Sequence, residues 1–110
     1  MKLLVIVLND PDMLEDVLEG LIETGVSGAT VVDSVGMGHI MEDVPLFAGM
    51  RSTFRSARPR NNIIFSVIDD KQARESLDVL EKILACSAGK GKGIAFVLPI
   101  DAAIGVGKKE

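Results

Sequence analysis

The run Asn62-Ile63-Ile64-Phe65-Ser66-Val67-Ile68, with the Asp69-Asp70 that follows it, decides the fold. Its β-branched and aromatic side chains, almost continuous over a short stretch, have the length and composition of a buried strand. The run stops on two acids, and an acid just ahead of a helical pattern accepts the unpaired N–H groups of the first turn. Downstream, Ala73, Leu77, Leu80 and Leu84 recur at helical spacing, and Ile83 widens the same stripe. Ala88-Gly89-Lys90-Gly91-Lys92-Gly93 breaks that helix, and a further strand, Ile94 to Leu98, follows before Pro99. This half of the chain reads β-α-β.

Working outward, the first half has the same order. Leu3 to Leu8 is a buried strand by length and composition. Asp10-Pro11 is a helix start, an acid at the cap followed by proline at the first helical position. Leu14, Val17, Leu18, Leu21 and Ile22 then line one face, and Gly25 ends the helix where a left-handed cap costs glycine least. Ala29 to Met37 is a strand entered through Gly28 and left through Gly36-Met37-Gly38. The order β-α-β-β-α-β predicts a ferredoxin-like α+β domain over residues 1–110, a four-stranded antiparallel sheet with two helices on one face. The two halves are analogous without forming a tandem sequence repeat.

Composition narrows the function. With 110 residues there is room for one domain. A net charge of −4 argues against a general nucleic-acid binder, which needs a basic footprint. The only cysteine, Cys86, has no partner for an internal disulfide and reads as a small packed hydrophobe. The apolar start of the chain stops at Asn9-Asp10-Pro11 without a small-residue cleavage site, so it reads as a strand and not a signal peptide. No run approaches the length of a membrane span. The expectation is a cytoplasmic protein without membrane insertion.

The connection between the second and third strands, His39 to Asn61, is far longer than a hairpin needs. Connections of that length in a compact domain usually carry function. Four of the five arginines, Arg51, Arg55, Arg58 and Arg60, lie within it, beside the apolar Val44-Pro45-Leu46-Phe47 and Phe54. Arginine favours planar, bidentate contacts to carboxylate or phosphate. The segment reads as a contact surface for a partner protein or an anionic ligand; the alternative is that its apolar groups tuck onto a neighbouring subunit while the arginines face water.

Catalysis has few candidate members: one His, one Cys and no Tyr leave little from which to build a nucleophile–base set. His39, Glu42 and Asp43 bring an imidazole and two carboxylates within five residues, a donor set for a divalent metal or simply a solvated loop start. Gly89-Lys90-Gly91-Lys92-Gly93 is more informative. Alternating glycines let backbone N–H groups converge on an anion, and the lysines add charge. The competing reading is a helix stop followed by a solvated turn.

Taken in order, these segments resemble the PII family of nitrogen-regulatory signal proteins. Gly25-Val26-Ser27-Gly28-Ala29-Thr30-Val31 resembles that family's turn into its second strand, and Gly36-Met37-Gly38 resembles the glycines that open its long T-loop. Leu46-Phe47-Ala48-Gly49 matches a hydrophobic–aromatic–x–Gly segment of that loop, and residues 91–99 resemble the phosphate-holding B-loop and the strand after it. The resemblance implies a homotrimer, with nucleotide (ATP or ADP) and 2-oxoglutarate bound through Mg²⁺ in clefts between subunits. It also implies T-loops, here 39–61, that dock on a target such as a transporter or metabolic enzyme. The implied cleft residues are Thr30, Gly36, Gly38, Gly89, Lys90, Gly91, Lys92 and Gly93, with 88–93 as the B-loop.

Several positions depart from the family. Lys92 and Ile94 stand where an acid and a lysine are usual, Gly105 and Gly107 where two arginines grip phosphate, and Ile40 where a glutamine helps hold the effector. The modified tyrosine has no counterpart. Each missing charge-assisted bond is worth about 1.5–3 kcal/mol. The expectation is therefore a divergent PII-like sensor for an adenine nucleotide (ATP, ADP or AMP) or another small anion. A structural trimer without ligand is the first alternative; a metal-handling trimer and a small enzyme stand behind it.

Overall fold

The structure, a computed structural model, describes residues 1–35, 61–85 and 92–106. Strand β1 (Lys2–Leu8) leads through a 3-10 turn (Pro11–Met13) into helix α1 (Leu14–Glu23), and β2 (Thr30–Ser34) follows. Strand β3 (Asn61–Ile68), helix α2 (Asp70–Leu84) and β4 (Gly93–Pro99) complete the order. The strands form an antiparallel sheet in the order β2-β3-β1-β4, the ferredoxin-like arrangement expected from the sequence.

The capping signals act as read, with one shift. Asp69 accepts the Gln72 N–H at 2.7 Å while Gln72 Oε1 accepts the Asp69 N–H at 3.1 Å, a reciprocal box that starts α2. At α1 the expected proline start is displaced. Asp10 caps the 3-10 turn by accepting the Asp12 N–H at 3.0 Å, and the α-helix proper begins at Leu14. A 3-10 turn at a helix N-terminus satisfies the orphan donors with tighter bonds. Gly25 ends α1 with φ of 88°, the left-handed conformation that glycine tolerates.

One face of the sheet is buried under the helices. Leu4, Ile6 and Leu8 of β1 and Ile64 and Ile68 of β3 pack with Val17 and Leu21 of α1 and Ala73 and Leu80 of α2. Two expectations about this core need correcting. Ile22 is 68% exposed, because the position that meets α2 is Gly20, where an added Cβ would lie 2.9 Å from Val79 Cγ1. The apolar stripe of α2 is also not purely apolar: Gln72 and Ser76 are buried, Gln72 donating to the Gly25 carbonyl and Ser76 sharing a hydrogen bond with the Thr24 hydroxyl. Every buried side-chain N or O among the described residues has a partner.

The second strand is shorter than expected. Its pairing with β3 ends at Ser34–Asn61, so Ala29 and Val35 lie outside it, and Gly36 and Met37 lie outside the described residues. Among the described residues, no helix or loop covers the opposite face of the sheet. Val67, Ile94, Phe96 and Leu98 stay exposed there, although nothing in their composition distinguishes them from core residues.

Candidate functional site

The residues of interest gather at one end of the sheet because the strand ends coincide there. Asp33, Asn62, Leu8 and Gly93 form one cross-strand row, with β1 ending and β4 beginning side by side. The chain leaves this end at Val35 and returns at Asn61, and it enters again at Lys92. The bases of both segments singled out in the sequence therefore lie at the same end of the sheet, with β1 between them.

Hydrogen bonds stiffen that rim. Asn62 Nδ2 donates to Asp33 Oδ1 at 2.9 Å and the Ser34 hydroxyl donates to the Asn61 carbonyl at 3.3 Å, which fixes the base of the long connection. On the other side, the Asn9 N–H donates to the Lys92 carbonyl at 2.8 Å, and Lys92 Nζ donates to Asp10 Oδ2 at 3.2 Å. Both side chains are partly buried, Asp10 with 11% and Lys92 with 30% of its side-chain surface exposed, so screening by water is incomplete. Asp10 thus has two roles, capping the 3-10 turn with one oxygen and holding Lys92 with the other.

Gly93 is tightly enclosed. A Cβ built there would lie 2.4 Å from the Val7 carbonyl oxygen and 3.1 Å from Leu8 Cα. Close approach of two backbones is what the structure shows glycine allowing at this position. Thr30 lies elsewhere: it opens β2 and pairs with Phe65, in a row on the bare face that continues through Val5 to Phe96. Because β2 and β4 are the two edges of the sheet, Thr30 and Lys92 are separated by about 14 Å of strand spacing alone. One chain does not bring them together.

The remaining candidates lie outside the described residues. These are Gly36, Gly38, Gly89, Lys90 and Gly91 of the expected cleft, and Phe47, Arg51, Phe54, Arg55, Arg58 and Arg60 of the long connection. His39, Glu42, Asp43 and Cys86 also lie outside them. Among the described residues no group of three or more His, Cys, Asp or Glu is arranged to hold a metal ion. No helix among them is long and apolar enough to cross a membrane.

Sequence reasoning missed Asp10 as the partner of Lys92, having read it only as a cap. The signal was present in the strand register, which sets Asn9 opposite Lys92 and so brings the next residue, Asp10, within its reach. It missed the Asp33–Asn62 pair for the same reason.

Comparison with known proteins agrees with this architecture. The family model for nitrogen regulatory protein P-II matches residues 1–110, the whole chain. The chain belongs to that family and is a PII-like regulatory signal protein. A search of curated proteins returned no match.

Proposed function

We propose that three copies of the chain assemble through the bare face of the sheet and hold a small anionic effector in the clefts between them. An adenine nucleotide (ATP, ADP or AMP) is the first candidate. The long connection, residues 39–61, then acts on a target protein such as a transporter or metabolic enzyme, in the cytoplasm. The observation that carries this reading is the division of the sheet, one face sealed by helices and the other apolar and uncovered. It is supported by the separation of Thr30 from Lys92, since a pocket containing both must draw them from two copies.

Effector capture in this reading rests on the 88–93 loop and on the arginines of the long connection. A ligand-free interaction trimer is the second reading, favoured by a specific observation: the Lys92 ammonium already has a carboxylate partner in Asp10.

Thermal shifts with ATP, ADP and AMP, each with and without Mg²⁺ and 2-oxoglutarate, separate the two. A ligand at a hundred times its dissociation constant stabilises by about 2.7 kcal/mol, which is several degrees for a domain of this size. A nucleotide-selective shift supports the sensor, and a flat panel supports the ligand-free trimer. Sedimentation tests the assembly itself. Ile94→Glu, at a position 59% exposed on the bare face, should turn a trimer into a monomer. A wild-type monomer at micromolar concentration would end both readings.

A further inference from the structure

Charge is divided along this chain. Residues 3–50 contain nine Asp or Glu and no Lys or Arg, while residues 44–68 contain four Arg and no acid. The structure gathers part of the acidic share on one surface. Asp16, Glu19 and Glu23 are exposed along one side of α1 and border a groove between α1 and α2. Met13, Val79 and Ile83 give the groove an apolar lining, and at its floor Gly20 lets Val79 and Ile83 of α2 approach α1 closely. Lys82 is the one basic residue that lines it.

This arrangement is unfavourable for α1 on its own. Acids spaced three and four apart on a helix repel each other, and an acid in the last turn opposes the helix dipole. Glu23 occupies that last turn, and α1 has no basic residue there to offset it. A cationic occupant relieves both costs.

We propose that this groove is a docking surface for the arginine-bearing stretch 51–60 of a second copy of the chain, so that trimers associate when salt is low. The charges are complementary: four guanidinium groups without an accompanying acid meet a groove with a surplus of carboxylates. The groove runs from the start of α1, at Met13 and Asp16, to its last turn at Glu23. The same chain's own 51–60 stretch is the competing occupant, and sedimentation separates it from a second copy, since docking within one chain leaves the mass independent of salt. The apolar lining accepts the non-polar stems that arginine carries behind its head. The proposal goes beyond the effector reading and needs no ligand.

The test is sedimentation velocity of the full chain at about 10 mM and about 1 M salt, where the screening length falls from about 30 Å to about 3 Å. Three proteins are compared: wild type, Glu19→Lys/Glu23→Lys and Arg55→Glu/Arg58→Glu. Wild type should at least double its mass at low salt and return to the high-salt species at high salt. Each variant alone should remain at the high-salt species throughout. Mixing the two variants at low salt should restore association, because each then offers what the other lacks; a misfolded variant would not be restored. A wild type that sediments identically at both salts overturns the proposal, as do variants that still associate alone or a mixture that stays apart. The species present at high salt reports separately on the trimer, so the two readings fail independently.

Discussion

Replacing Gly93 with alanine should destabilise the protein by about 2–4 kcal/mol, and the sign of the effect is itself diagnostic. Gly93 is not among the described glycines with positive φ, so its backbone conformation suits alanine. At a compatible site, Gly→Ala stabilises by roughly 0.4–1 kcal/mol, because it restricts the unfolded chain. Here the new Cβ meets the Val7 carbonyl oxygen at 2.4 Å and the Val7 carbonyl carbon at 3.3 Å. Carbon atoms pack best at about 3.5–4.0 Å, so the overlap with the oxygen is on the order of 1 Å. The obstacle is backbone of β1, an interior strand, and no side-chain rotation removes it.

The first residue of β4 must therefore draw away from β1. That strains the Asn9–Lys92 backbone bond at 2.8 Å and the Lys92–Asp10 pair at 3.2 Å. Forced overpacking costs about 1–3 kcal/mol and partial weakening of the two bonds about 0.5–1.5 kcal/mol between them, which comes to roughly the stated range. Urea unfolding of the Gly93→Ala protein, at the protomer concentration used for wild type, measures it directly, and the melting temperature should fall by roughly 10 °C. A protein as stable as wild type, or more stable, would refute the close-approach argument. It would return Gly93 to the role first read from the sequence, a loop glycine needed only for an anion.

Leu80→Ala, at a position 1% exposed between the sheet and α1, should cost about 2–5 kcal/mol by the same unfolding measurement. Gln72→Leu removes the bond to the Gly25 carbonyl at 2.9 Å and half of the capping box, and should cost about 1–3 kcal/mol; an unchanged midpoint would show that water replaces both. Asp10→Asn and Lys92→Met should each destabilise modestly and should be coupled by about 0.5–1.5 kcal/mol in a double-mutant cycle. Additive effects would mean that the pair contributes nothing, whatever its geometry.

The elements were legible in the sequence because each has a local signature. The Asp69 cap, the Gly25 stop and the aliphatic strands all act within a few residues, and they were found where they were read except that β2 is shorter. The misreadings share one cause, dependence on residues distant in sequence. Ile22 fits the apolar stripe of α1, but Gly20 takes the contact with α2, and only the approach of the two helices reveals it. Ser76, given no role by the sequence, is buried against Thr24, 52 residues away. Lys92 looks like a free phosphate ligand until the register sets Asn9 opposite it and the Asp10 carboxylate reaches its ammonium. Composition alone assigned these residues their separate chemistry; the sheet decides which of them are already paired.

The same distinction explains why β1 has no polar alternation. A strand with one wet face alternates apolar and polar residues, whereas one dry on both faces reads as a continuous apolar run. Leu3, Val5 and Val7 are as apolar as Leu4, Ile6 and Leu8, yet only the latter three lie against the helices. Cross-strand neighbours continue the pattern, with Ile63, Phe65 and Val67 on one side of β1 and Ile94, Phe96 and Leu98 on the other. In a monomer Val5 at the centre of that surface is shielded by its neighbours, but Val67, Ile94, Phe96 and Leu98 stay 39–59% exposed, and completing their burial is worth about 1 kcal/mol each. Together that is a large fraction of the net stability of a small domain, so a continuous apolar run on the open side favours an assembled chain. Assembly through that face accounts for it, and it leaves α1 and α2 facing outward, where the acidic groove remains open to a partner.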